Sequence, residues 1–141
     1  MEEYRQSIQC EESDGAGFCQ GQICVHVDEL KTASRGNLAF KQIEHIIREV
    51  LPDICYPVAF LDYVEVYVQH RRRGLASKAV TEFEAFALRK SVSVVFLKAS
   101  YDCDDDWEQE AEWKQRMYSK LGFIGFSQEH PAFPVMFKRL K

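Results

Sequence analysis

Three adjacent arginines, Arg71 to Arg73, close an alternating apolar run and stand directly before Gly74, in the stretch VEVYVQHRRRGLASKAV. Upstream, Val64 and Val66 have the period of a strand. Downstream, Leu75, Ala79, Val80, Phe83, Phe86 and Ala87 recur every three or four residues and predict a helix. The arginines and Gly74 therefore occupy a strand-to-helix turn. The first N–H groups of a helix lack intrahelical partners and carry about half a positive charge. A glycine lets backbone approach a ligand closely, and successive N–H groups can wrap a phosphate. These residue types in this order suit a bound anion. Taken alone, an arginine run more often decorates a solvated face, so the reading depends on its surroundings. Neither the Lys–Ser/Thr pair of a Walker-type loop nor the GxGxxG dinucleotide fingerprint is present.

The elements that must position this turn are legible as periodicities. YRQSIQCEE and FCQGQICVHVDEL alternate around a turn-like SDGAG and predict a hairpin. Phe40, Ile43, Ile46, Ile47, Val50 and Leu51 predict an amphipathic helix over Leu38–Leu51, closed by Pro52. A β-rich run spans Pro57 to Val68, and the apolar run Val92 to Ser100 suits a strand buried on both faces. After an acidic loop, WEQEAEWKQRMYSKLG predicts a helix with Trp113, Met117 and Leu121 on one face and Gly122 at its stop. FIGFS and PVMFKRL read as a final strand pair. The order ββαβαβαββ describes a mixed α/β domain with strand–helix–strand units around one sheet.

Bulk properties narrow the function. The chain has 141 residues, enough for one sizeable core, with 46% hydrophobic and 28% charged residues. No apolar run approaches the roughly 20 residues of a membrane span, so no membrane association is expected. The acidic start MEEYRQSIQCEESDG lacks the parts of a signal peptide, which points to a cytoplasmic protein. A net charge of −4 and the scarcity of other basic clusters weigh against nucleic-acid binding. Five cysteines without a CxxC pair argue against a disulfide framework or structural zinc. Cys24 and His26 share a side of an apparent strand, but a buried thiol beside an ordinary histidine is the plainer account, and no metal is assigned.

Two separated motifs resemble one family. Arg71, Gly74 and Ala76 match the Gln/Arg-x-x-Gly-x-Gly/Ala signature of the GNAT superfamily of acetyl-CoA-dependent N-acetyltransferases, and YSKLGF, Tyr118 to Phe123, matches the close of its last helix. The likeness covers roughly Pro57 to the C-terminus. It implies a single-domain acyl-CoA N-acyltransferase fold over residues 1–141, of class α/β (α+β). Its central sheet would be mixed but mostly antiparallel and flanked by helices, with a short N-terminal hairpin and a cofactor core at about 57–141. It implies acetyl-CoA as co-substrate and a primary amine as acceptor.

The resemblance also implies roles. Val64, Glu65 and Val66 would bind the pantetheine arm through their backbone. Arg72, Arg73, Gly74, Leu75, Ala76 and Ser77 would bind the pyrophosphate through N–H groups, with the Arg71 side chain fixed within the turn. Backbone N–H groups near Val66, where the strand splays, would stabilise the oxyanion. Tyr118 would protonate the departing thiolate, a task suited to a phenol. The incoming ammonium must lose a proton; Asp62, expected to share a side with Val64 and Val66, is the preferred base, and Glu65 the alternative. Ala111 stands where many relatives have a cofactor-touching asparagine, and the long N-terminal helical excursion of the family is replaced by the Leu38–Leu51 helix.

The acidic residues Asp102, Asp104, Asp105, Asp106, Glu108, Glu110 and Glu112 would attract a cationic acceptor such as a polyamine, an aminoglycoside or a peptide amine; a solvated loop favouring a helix start is the plain alternative. A homodimer is left open. The competing function is a non-catalytic acyl-CoA-sensing module that regulates a protein partner. Both readings need the cradle, but only the enzyme needs Tyr118 as an acid.

Overall fold

The computed structural model describes residues 1–10, 13–34, 37–71, 73–99, 107–125 and 135–141. Six strands form one sheet: β1 Glu2–Cys10, β2 Ser13–Cys24, β3 Val58–Val66, β4 Val94–Lys98, β5 Ile124–Gly125 and β6 Val135–Arg139. Their order across the sheet is β1-β2-β3-β4-β6-β5, with every pairing antiparallel except β3 with β4. The helices are α1 Val27–Ala33, α2 Asn37–Glu49, α3 Leu75–Arg89 and α4 Trp107–Lys120. None of the described helices is long and apolar enough to cross a membrane.

Alternation along the strands divides the core into two layers. Ala59 and Leu61 of β3, Val95 and Leu97 of β4 and Met136 of β6 face α3 and α4, where they meet Ala79, Val80, Phe83 and Tyr118. Val58, Phe60, Val94, Phe96, Val135 and Phe137 face the other way, onto Leu30 of α1 and Ile43 and Ile46 of α2. β4 is thus covered on both faces, as its unbroken apolar sequence requires. Burying a side chain such as Phe83 contributes about 1.5–3 kcal/mol.

The second strand ends earlier than its alternation predicts. It stops at Cys24, and VDELKTA folds as α1, whose N-cap is His26: the imidazole Nδ1 accepts from the Asp28 N–H at 3.1 Å. Asp28 and Glu29 in the first turn favour the helix start. A capping histidine followed by two acids outweighs the weak strand period of VHVDEL. Cys24 is buried in the core while His26 caps outside it, so the two do not form a shared face. The segment between β2 and β3 therefore holds two helices rather than the single Leu38–Leu51 helix of the sequence reading.

Two glycines allow close approaches, one between layers and one between strands. A Cβ on Gly21 would lie 2.6 Å from the Phe83 ring and 2.9 Å from the Phe60 carbonyl oxygen, so glycine lets α3 settle onto β2. A Cβ on Gly17 would overlap the Glu65 carbonyl oxygen, so only glycine permits the close β2–β3 pairing there.

Candidate active site

β3 is paired on both edges for only part of its length. Ala59, Phe60 and Leu61 pair with Val95, Phe96 and Leu97 of β4, and beyond Leu61 the two strands part. The departure coincides with a bulge. On the β2 side Gly21 pairs with Leu61 and Gln20 with Tyr63, so Asp62 is the extra residue between two paired positions. A bulge of this kind adds one residue to a strand, bends it and shifts its alternation. Leu61 and then Val64 and Val66 consequently pack on the α3 side.

The ladder shows which main-chain groups face the opening. Tyr67 N–H donates to the Ala16 carbonyl at 2.8 Å, so Ala16/Tyr67 is a hydrogen-bonded pair. Antiparallel pairs alternate between bonded and non-bonded. Gly17/Val66 and Cys19/Val64 are therefore the non-bonded pairs, with the Val64 and Val66 N–H and C=O groups directed away from β2. The Val66 carbonyl accepts instead from Arg71 Nε at 2.9 Å. That bond folds the Arg71 side chain back onto the end of β3 and closes the turn toward α3.

The turn itself is built to leave a helix start open. Gly74 is the N-cap of α3 at φ 74°, a left-handed conformation that favours glycine, and its carbonyl accepts from Lys78 N–H at 3.1 Å. Among the described residues no side chain caps the helix start, and its first turn holds no acid. The N–H groups of Leu75, Ala76 and Ser77 are available to an outside acceptor. They border a cavity of about 500 Å³ lined by Val66, Arg71 and Gly74–Ser77 on one wall. Its other wall is α4, through Trp113, Arg116, Met117 and Lys120.

Tyr118 does not line that cavity. It is buried, 5% exposed, in the core that also holds Cys19 and Val66 and against which Val64 packs. Its position is set by the end of α4. Phe123 N–H donates to the Tyr118 carbonyl at 3.0 Å and Gly122 N–H to that of Ser119 at 3.1 Å. Gly122 is at φ 97°, and the Tyr118 and Phe123 rings pack edge to face at 5.7 Å. This is a Schellman cap with its apolar contact, which gives Tyr-x-x-Leu-Gly-Phe a structural meaning: glycine turns the chain and phenylalanine pins the tyrosine. Burial pushes the Tyr118 phenol well above its ordinary range, and a charge on neighbouring Cys19 would raise it further. Cys19, opposite Val64 in the β2–β3 register, is itself pushed up to about 12, first by burial and then by Glu82.

The other expected residues divide. Glu65 shares the face opposite α3 with Tyr63: Tyr63 Oη donates to Glu65 Oε2 at 2.8 Å, and the Tyr63 ring stacks on Phe18 at 5.1 Å and 4°. Asp62, half-buried, sits at the bulge, where strict alternation with Val64 and Val66 no longer holds. Arg73 is exposed and does not line the cavity. Arg72 and Asp102–Asp106 lie outside the described residues, as do the side chains of Glu108, Glu110 and Glu112. Among the described residues no cluster of three or more metal-ligating groups occurs.

Sequence reasoning missed three contributors. Arg116 and Lys120 face the cradle from α4, and their i, i+4 spacing was the available signal. Lys138 of β6 ties the helices together: Nζ is 2.8 Å from Glu84 Oε1 on α3 and donates to the Leu121 carbonyl at 2.7 Å. That tie crosses three elements and has no local sequence signature.

A sheet split at one strand, beside an open and positively charged helix start, is an architecture for holding an extended anionic donor with its far end in the split. The chain belongs to the Acetyltransferase (GNAT) family, whose model matches residues 16–123, and it is accordingly an acetyltransferase. Among solved structures it is similar to arylalkylamine N-acetyltransferase 2 from Aedes aegypti, at 18% identity and TM-score 0.56, covering 94% of this chain and 71% of that one. It is also similar to NAA60 from Arabidopsis thaliana in complex with acetyl-CoA, at 13% identity and TM-score 0.62, covering 99% and 77%. No curated protein sequence matches the chain.

Proposed function

We propose that this protein transfers the acetyl group of acetyl-CoA directly to a primary amine. One observation carries the reading: the uncapped start of α3 borders a cavity whose described lining includes three cations and no acid, directly beside the half of β3 that has left β4. The lining fits the donor. Gly74–Ser77 supply N–H groups for its diphosphate, and the outward-facing main chain of Val64 and Val66 suits the amide-bearing pantetheine arm.

In the transfer the amine nitrogen bonds to the thioester carbonyl carbon, the C–S bond breaks, and the sulfur leaves with its electron pair. The N–H groups of Val64 and Val66 lie where they can donate to the oxyanion that forms. Holding both reactants in the opening supplies much of the acceleration. Tyr118 protonates the departing sulfur. Its buried phenol stays protonated throughout the neutral range, as a donor must. Asp62 at the bulge receives the proton lost by the ammonium, with Glu65, held by Tyr63, as the alternative.

The acceptor we propose is cationic, drawn by the acidic residues Asp102 to Glu112 that lead into α4. The test is thiol release from acetyl-CoA against polyamines, aminoglycosides and lysine peptides. Release with at least one amine class is expected, with an acceptor KM that rises when Asp104, Asp105 and Asp106 are changed to asparagine. No release with any amine from a protein that binds acetyl-CoA overturns the catalytic reading. An unchanged, salt-independent KM overturns the steering role.

A further inference from the structure

We propose that Arg116 and Lys120 bind phosphate groups of the donor from the wall opposite α3, so that this acetyltransferase selects its donor by phosphate charge. The inference rests on the acetyl-CoA reading above and extends it to residues that reading does not use.

The first support is geometric. Trp113, Arg116, Met117 and Lys120 fall at i, i+3, i+4 and i+7, one stripe of α4, and all four line the cavity that the start of α3 opens into. The second is electrostatic. The protein carries 22 acidic residues against 18 lysines and arginines, yet the described cavity lining holds Arg71, Arg116 and Lys120 without an aspartate or glutamate. Arg71 Nε is engaged on the Val66 carbonyl, which leaves the α4 pair as the cations with reach across the cavity. Among the described residues neither Arg116 nor Lys120 has an ion-pair partner.

Such a pair is unfavourable in the empty protein. Like charges four residues apart on a helix repel, and here both face a third cation and the positive end of α3. Lys120 in the last turn of α4 also complements the helix dipole, and Arg116 faces the same cavity from one turn earlier. An anion between the walls relieves the repulsion and uses both helices at once. The chemistry is that of phosphate oxygens, from the diphosphate or the 3′-phosphate of coenzyme A. Arginine takes them in a forked geometry and lysine as a point charge.

The test compares three donors, acetyl-CoA, its 3′-dephospho form and S-acetyl-pantetheine, on the wild type and on Arg116→Gln/Lys120→Gln. Both side chains are exposed, so the variant is expected to fold, and its melting temperature checks this. The paired Arg116→Lys/Lys120→Arg variant serves as the charge-retaining control. The expected result is that acetyl-CoA Kd rises about tenfold or more in the glutamine variant and less than about threefold in the control, while KM for S-acetyl-pantetheine is unchanged. A loss that persists with the dephospho donor assigns the contact to the diphosphate; a loss confined to acetyl-CoA assigns it to the 3′-phosphate. A glutamine variant that binds acetyl-CoA as the wild type does, or loses S-acetyl-pantetheine equally, overturns the proposal. A wild type that binds no acetyl-CoA would instead bring down the acetyltransferase mechanism proposed above.

Discussion

At the residue scale the proposed chemistry concentrates on one phenol. Tyr118 is buried beside the open half of β3, and burial holds its proton firmly. Replacing it with phenylalanine removes the donor while keeping the ring contact with Phe123. The expected loss in kcat is about 10²-fold or more, with acetyl-CoA Kd unchanged, as steady-state kinetics and calorimetry would show. An unchanged kcat would leave the residue a packing role only. Tyr118 also marks the fold's response to alkali. A raised folded pKa contributes stability that is fully present below the unfolded value and is lost as pH rises through the folded one. For Cys19, from 9.0 unfolded to about 12 folded, the loss runs through that interval, and Tyr118 adds to it from 10.0 upward. Denaturation midpoints measured from pH 7 to 11 should hold to about pH 9 and then fall, more shallowly in Tyr118→Phe.

At the scale of elements, two helix ends and one strand pairing hold the site in place. α3 closes with the same cap as α4: Val92 N–H donates to the Ala87 carbonyl at 3.0 Å and Ser91 N–H to that of Leu88 at 3.0 Å. Here the left-handed position, φ 62°, is held by Ser91 rather than glycine. Exposed Ser91→Gly should therefore stabilise the protein by about 1 kcal/mol, and Gly122→Ala should destabilise it by a similar amount. The second change should also lower kcat, because it loosens the cap that pins Tyr118. Gly17→Ala forces a Cβ into the Glu65 carbonyl, at an expected cost of about 1–3 kcal/mol together with weaker acetyl-CoA binding, since β3 must shift. Chemical denaturation checks all three. These elements also show what the sequence could reveal. The start of α3 at Leu75, the doubly buried β4 and the glycine stop after α4 were legible, because each is written in local period or turn chemistry. The bulge at Asp62 was not: it exists only in the register between β2 and β3, where Gln20 pairs with Tyr63 and Gly21 with Leu61, residues far apart in sequence and in neither local run. α1 was mistaken for strand because its capping signal, His26 with Asp28, is short and interrupts an alternating run.

For the whole molecule, function follows from the way two half-sheets meet. β1, β2 and β3 form one half and β4, β6 and β5 the other, joined through the short parallel pairing at Ala59–Leu61. The layer of α3 and α4 bridges both halves, and Lys138 fixes α3 to the end of α4 across β6. The cradle, the open main chain of β3 and Tyr118 thus belong to one packed unit, although they lie more than forty residues apart in sequence between Gly74 and Tyr118. The most direct measurement is a titration of 15N-labelled protein with acetyl-CoA, following the backbone amides of Gly74, Leu75, Ala76 and Ser77. Saturable shifts at these four, with Val64 and Val66 moving at the same ligand concentration, are the predicted result. Saturable binding that leaves the four amides unmoved, or no binding at all, would contradict it.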